Sequence, residues 1–244
     1  MDNTKQPLKE KNMLNLSKEE VKQKVGLVLE KRKMANPPKV AVKVFIDTSG
    51  SFRDEWEDGT VGLIAERVLA VANRFDDDGN LDIYHFNNEA HDCGSANFEK
   101  TNGVKYLKEN ILNKSSDELW NGTCFSPILN AVLPAKASSG GIFGSLFGKV
   151  KAEKKNQPTL VYIITDGDNA DDHTTDTKFE ESVDSNTYFM FVNVQSMAKN
   201  AKNYADKYPH VGYVFIKDLR KASDDQVIEA LITEEYTNWR NNCK

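Results

Sequence analysis

The chain has 244 residues, a formal net charge of −5 and 28% charged residues. That length suits one α/β domain with extensions or two small domains, and the charge argues against nucleic acid as the partner. No apolar run approaches the roughly 18 residues of a membrane span, and three widely spaced cysteines (Cys93, Cys124, Cys243) with no CxxC pair suggest neither a zinc site nor a disulfide framework.

In chain order, the N-terminal stretch from Met1 to Pro7 lacks the apolar core of a signal peptide, so the expected compartment is the reducing cytoplasm. Ser17 and Glu20 have capping-box spacing, and Val21, Val25, Val28 and Leu29 recur at helical spacing. Val25–Leu29 also reads as a short strand, and the pattern alone does not choose. Pro37-Pro38 ends this extension. Val40 to Ile46 is β-branched and apolar, which predicts a buried strand, and Asp47-Thr48-Ser49-Gly50-Ser51 follows directly. A polar loop from Arg53 to Gly59 leads to Thr60 as an expected N-cap, then to an apolar helical stripe of Val61, Ile64, Ala65, Val68, Leu69 and Ala72.

Asp76-Asp77-Asp78-Gly79-Asn80 opens like a calcium-binding EF-hand loop. Leu81 stands where that loop needs its glycine and Asn87 where it needs its glutamate, so a turn is expected instead. Leu81 to Phe86 alternates as a strand and pairs as a hairpin with a second near Ala90–Cys93. His85 and His91 read as structural, since Cys93 is the only other soft ligand close by in sequence. Val104, Leu107, Ile111 and Leu112 predict a helix. Thr123 lies on a loop entering another helix, with Ser126 as its expected cap and Pro127 in its first turn.

Residues 138–157 break the pattern. This glycine-rich stretch carries Ile142, Phe143, Leu146 and Phe147 beside a run of lysines. It is not a P-loop, because Lys149 is followed by Val150. It reads as an insertion folding back on the core, or as a peripheral membrane or protein contact. Its place between a helix and the next strand puts it on the sheet edge away from Asp47. Thr159 to Thr165 is a second buried strand, with Asp166-Gly167-Asp168 at its carboxyl end and Asp171 and Asp172 beyond. Helix near 175–183, strand 187–194, helix 198–207, strand 211–216 and a last helix capped by Ser223 complete the chain, with Trp239 anchoring the tail. The alternation predicts a mainly parallel sheet with helices on both faces and one antiparallel edge strand.

Asp47 and Asp166 therefore share the carboxyl edge of the sheet, where open α/β folds bind ligands. If their strands are neighbours, they lie about 5 Å apart, and two such charges repel unless a cation sits between them. Ser49, Ser51 and the Thr123 loop belong to the same edge. Five side-chain oxygens suit a hard cation, Mg²⁺ first, with Mn²⁺ or Ca²⁺ as alternatives. The same residues also make an ordinary polar turn.

Asp47-x-Ser49-x-Ser51, then Thr123, then Asp166 resembles the metal-ion-dependent adhesion site of the von Willebrand factor A (vWA) domain. The likeness is most specific to the bacterial and phage tellurium-resistance (Ter F-type) branch, at Glu30-Lys31-Arg32, at Asp58-Gly59-Thr60, at Phe75 to Gly79 and at Ile164 to Asn169. Phe52 departs from the methionine frequent there, at a position that is not a ligand. About 40 residues precede the first strand, so calcium binding by the extra N-terminal domain of Ter F-type proteins is not carried over. The resemblance implies a doubly wound Rossmann-like α/β fold with six strands ordered 3-2-1-4-5-6. It also implies an N-terminal extension over 1–38 and a vWA domain over 39–244. The expected function is Mg²⁺-dependent protein binding through a Glu or Asp of a partner, in a tellurium-resistance or stress-response setting, and not catalysis. Asp168, Asp171 and Asp172 would discourage an indiscriminately acidic partner. The alternatives are an Mg²⁺-dependent hydrolase or phosphotransferase using Asp47, and a membrane-surface scaffold acting through residues 142–147. A dehalogenase-type second aspartate is missing, because Ser49 occupies its place. Ser49 also lacks the glycines of a nucleophile elbow.

Overall fold

The computed structural model describes residues 18–242, apart from 38, 77, 98, 99, 101, 116 and 134–157. Six strands form one sheet: β1 (Ala41–Asp47), β2 (Asn80–Phe86), β3 (Ala90–Asn97), β4 (Thr159–Thr165), β5 (Thr187–Val194) and β6 (Val211–Ile216). Their order is β3-β2-β1-β4-β5-β6. All pairs are parallel except β2 with β3, the hairpin at the edge. This is the expected doubly wound architecture.

The period-2 geometry of the central strands explains the two cores. Val42, Val44 and Ile46 of β1, with Leu160, Tyr162 and Ile164 of β4, face one cluster. Phe45, Val161 and Ile163 face the other. The first face is covered by α1 (Lys18–Lys31), α3 (Thr60–Phe75), α8 (Asp224–Leu231) and α9 (Glu234–Asn242). The second is covered by α5 (Ser126–Val132), α6 (Asp172–Glu181) and α7 (Lys199–Lys207). Each buried aliphatic or aromatic side chain contributes roughly 1.5–3 kcal/mol, so polarity at the strand ends is tolerated.

Some local expectations are settled by the structure and others change. Val25–Leu29 is helical, as part of α1. The polar loop after Ser51 contains a short helix, α2 (Arg53–Glu57), held by burial of Trp56 and an i,i+4 Arg53–Glu57 pair. Thr60 is not the cap of α3. Gly59 takes that position with φ 85°, a left-handed conformation open to glycine, and Asp58 accepts the Thr60 N–H. Asp76 accepts the N–H groups of Asp78, Gly79 and Asn80, which makes the turn a backbone-holding carboxylate. The predicted helix after Gly103 is α4 (Gly103–Leu107) running into a π-helical turn at Lys108–Leu112. α9 is additional, since one closing helix was expected. Trp239 stacks in it against Tyr236 and tilts onto Tyr188.

The glycine-rich stretch, with Ile142, Phe143, Leu146 and Phe147, lies outside the described residues, as do residues 1–17. Thr159 pairs with Ala41 at the start of both strands, so the chain re-enters the sheet on the edge opposite Asp47.

Arg67 of α3 and Asp224 at the start of α8 form a buried ion pair that joins two helices of the first face. Breaking such a pair leaves an uncompensated buried charge. Arg67→Ala is expected to cost about 3–5 kcal/mol in urea unfolding, and Arg67→Met with Asp224→Leu to recover most of that loss.

A candidate metal site at the carboxyl edge of the sheet

β1 carries Asp47 to the carboxyl edge, one step beyond the parallel Ile46–Ile164 pair, so that it stands beside Thr165. Asp47 is fully buried. Its Oδ2 accepts from Thr165 Oγ1 at 2.6 Å and its Oδ1 from the Ser49 backbone N–H at 2.7 Å. The second bond is an Asx-type turn, which sets the path of the loop. The indole N–H of Trp56 donates to the Asp47 carbonyl at 2.8 Å, so α2 clamps the same residue from outside.

Ser49 and Ser51 follow on this turn. Their hydroxyl oxygens are 3.2 Å apart, and Ser51 Oγ donates to Asp166 Oδ1 at 3.2 Å. Asp166 comes from the end of β4, the neighbour of β1. Thr123 arrives through its backbone. Trp120 N–H donates to the Thr48 carbonyl at 2.7 Å, Gly50 N–H to the Asn121 carbonyl at 2.9 Å, and Ala170 N–H to the Thr123 carbonyl at 2.8 Å. The 120–123 segment is thereby laid between the loops after β1 and β4. Gly50 permits this approach, since a Cβ there would sit 3.3 Å from the Trp120 carbonyl oxygen. The structure thus links Ser49, Ser51 and Asp166 directly, ties Asp47 to them through its turn, and brings the Thr123 segment alongside.

Burial dominates the electrostatics. It pushes the Asp47 carboxyl up to about 7, against the hydrogen bonds from Thr165 and Ser49, and the Asp166 charge adds to the rise. Asp166 is raised as well, by burial first, with the Ser51 hydrogen bond opposing. A set of carboxylate and hydroxyl oxygens around two neighbouring acids matches a hard divalent cation and not a soft one.

The other acids of this region act internally. Asp171 accepts the N–H groups of Phe125 and Ser126, capping α5 from across the chain, where Ser126 was the expected cap. Burial raises its carboxyl, but hydrogen bonds from Asn169, Ser126 and Phe125 outweigh that and hold it below the usual range. Asp168 accepts from the Asn200 N–H at the start of α7, and Asp172 from Tyr204 Oη. The buried Asn169 joins these loops through Asp171, Thr175, Asn200 and Tyr204. Sequence reading passed over Thr165, Trp56 and Asn169. Thr165 and Asn169 carried a signal, since both lie in the Ile164 to Asn169 stretch that bears the resemblance, whereas Trp56 carried none.

The profile of the vWA domain found at the C terminus of TerF matches residues 39–244. The chain belongs to this vWA-TerF-like family. It is 26% identical over 230 residues to YcbR of Bacillus subtilis (strain 168), covering 91% of this chain and 86% of that protein. Among solved structures it is similar to BatB from Bacteroides thetaiotaomicron, with a TM-score of 0.53 at 12% identity over 83% of this chain and 100% of that one. It is also similar to the VWA domain of SpRpn10, with a TM-score of 0.50 at 11% identity over 78% of this chain and 94% of that one. These likenesses concern the fold.

A raised Asp47 makes the metal-free fold hold a proton that the unfolded chain releases between pH 3.8 and about 7. Stability from this group therefore declines as pH rises through that window. Buried His85 and His210, both lowered to about 4 by burial, act in the opposite sense. In EDTA, Asp47→Asn is expected to gain stability relative to wild type steadily from pH 4 to 7. Parallel urea midpoints across that range would contradict the raised value.

Proposed function

We propose that this chain is a metal-dependent protein-recognition module. In this reading Asp47, Ser49, Ser51, Thr123 and Asp166 hold Mg²⁺, with Mn²⁺ or Ca²⁺ as substitutes, and a partner carboxylate takes the position left to water. The observation that supports it most is the hydrogen-bonded row Ser49–Ser51–Asp166 beside a buried acid, Asp47, whose carboxyl burial pushes up to about 7. A divalent cation answers both needs: it replaces the proton on Asp47 and removes the repulsion from Asp166. Gly50, Ser51 and Asp168 are exposed, so the edge opens to solvent where a partner would approach. Three neutral hydroxyls among the donors leave the cation positive enough to attract an anionic oxygen.

Recognition is favoured over turnover. Both oxygens of the Asp47 carboxylate already accept hydrogen bonds, and the Ser49 hydroxyl pairs with that of Ser51, which suits holding an ion better than attacking a substrate. The family's name is the support for a tellurium-resistance or stress-response setting. A reducing cytoplasm is the compartment proposed from the cysteine pattern. Among the described residues no helix is long and apolar enough to cross a membrane.

The test uses a partner captured from the native host in Mg²⁺. Its affinity, measured at fixed ionic strength, is expected to vanish in EDTA, to return with Mg²⁺, and to be lost when one partner Glu or Asp becomes its amide. Ordinary surface ion pairs ignore chelation and fade smoothly with salt. An affinity unchanged by EDTA would exclude this edge as the recognition surface.

A further inference from the structure

Three ligand-type side chains meet on the hairpin side of the sheet. His85 of β2 and His91 of β3 are cross-strand partners, with rings stacked 4.6 Å apart. Glu118 arrives from the segment that leads into Trp120. One donor atom from each of His85, His91 and Glu118 lies within 4.8 Å of the others. Two stacked imidazoles beside a surface carboxylate would ordinarily be packing.

A second observation points to a ligand. His85 is fully buried, and its Nε2 has no hydrogen-bond partner. Its Nδ1 lies 3.1 Å from Thr48 Oγ1, which is itself 3.1 Å from the Phe86 carbonyl oxygen. That carbonyl can only accept, so it takes the threonine proton. The threonine oxygen then accepts Nδ1–H, and the lone pair is left on Nε2. A neutral imidazole whose outer N–H is fixed by a hydrogen bond is the form that ligates metals. Burial keeps His85 uncharged, with its pKa lowered to about 4.

We propose that His85, His91 and Glu118 form a second metal site, of nitrogen and oxygen donors, that takes Zn²⁺ with water in its fourth position. Three protein ligands and an open position are a familiar zinc arrangement. Zinc bonds of roughly 2.0–2.2 Å require the donors to draw together. His85 is fixed, whereas His91 has 29% of its side chain exposed and Glu118 is partly exposed, so these two close on it. The neighbours are Glu89, whose carboxylate is 3.8 Å from His91 Nε2, Lys114, whose charge acts on His85, and Cys93, whose thiol burial pushes up to about 11. The ion would tie the edge hairpin to the Glu118 segment, whose continuation pairs with Thr48 and Gly50. Asn87 Nδ2 already donates to the Glu118 carbonyl at 2.7 Å along the same seam.

The test is a Co²⁺ titration of full-length Asp47→Ala, in which the oxygen site is disabled. One Co²⁺ with the visible absorption of a tetrahedral site, displaced by Zn²⁺, is expected. Adding His91→Ala or Glu118→Gln should erase the absorption and weaken Zn²⁺ by about tenfold or more. Both substitutions are on partly exposed side chains, and far-UV circular dichroism verifies the fold. Cys93→Ser should leave the spectrum unchanged. If Asp47→Ala does not fold, wild type saturated with Mg²⁺ takes its place. Absence of the absorption, its persistence in His91→Ala, or its loss in Cys93→Ser overturns the proposal.

Discussion

A single buried carboxylate governs the carboxyl edge of this protein. Asp47 ends a central strand with a parallel neighbour on each side and no access to water. An ionised acid in such a place is costly unless donors or a cation compensate. The fold supplies two donors, the Ser49 N–H and the Thr165 hydroxyl, and they do not suffice to restore an ordinary acidity. The loop conformation follows from the first of these bonds. By accepting the Ser49 N–H, Asp47 turns the chain so that Ser49 and Ser51 come into line with Asp166. The same constraint that makes the acid uncomfortable therefore assembles the oxygen donors around it.

A second layer keeps that arrangement in place. Trp56 grips the Asp47 carbonyl from α2, and the 120–123 segment is hydrogen-bonded to Thr48 and Gly50 on one side and to Ala170 on the other. Asp171 caps α5 across the chain, so the loop after β4 and the helix after Thr123 hold each other. Thr48 lies between Asp47 and Ser49, and its hydroxyl reaches His85 of β2. The oxygen-rich edge and the histidine pair are thus two faces of one hydrogen-bonded turn, even though their donor chemistry differs.

Much of this was legible in the sequence. The apolar runs before Asp47 and Asp166 read as buried parallel strands, because they are short, rich in β-branched residues and apolar on both faces. The Asp-x-Ser-x-Ser spacing, with Thr123 and Asp166, points to the carboxyl edge as the place for the proposed oxygen site. Strand adjacency came from the resemblance and not from periodicity. What escaped depends on distance in the chain. Asp171 caps a helix that begins 45 residues earlier, so Ser126 looked like the cap. Gly59 displaced Thr60 because a left-handed turn residue wins over a local hydroxyl. α2 was hidden by its polarity, and the burial of Trp56 against the core, with the Arg53–Glu57 pair, accounts for it. Glu118 joins His85 and His91 only through the loop pairing, so no spacing rule could have found it.

The oxygen site is tested most directly by titrating paramagnetic Mn²⁺ into isotope-labelled protein and following backbone amide resonances. Broadening should begin at Ser49, Ser51, Thr123 and Asp166 and be reversed by Mg²⁺. If those amides stay sharp while others broaden, for example around Asp76 and Asp78, the cation does not bind where β1 and β4 end, and the carboxyl edge must be read as a polar turn.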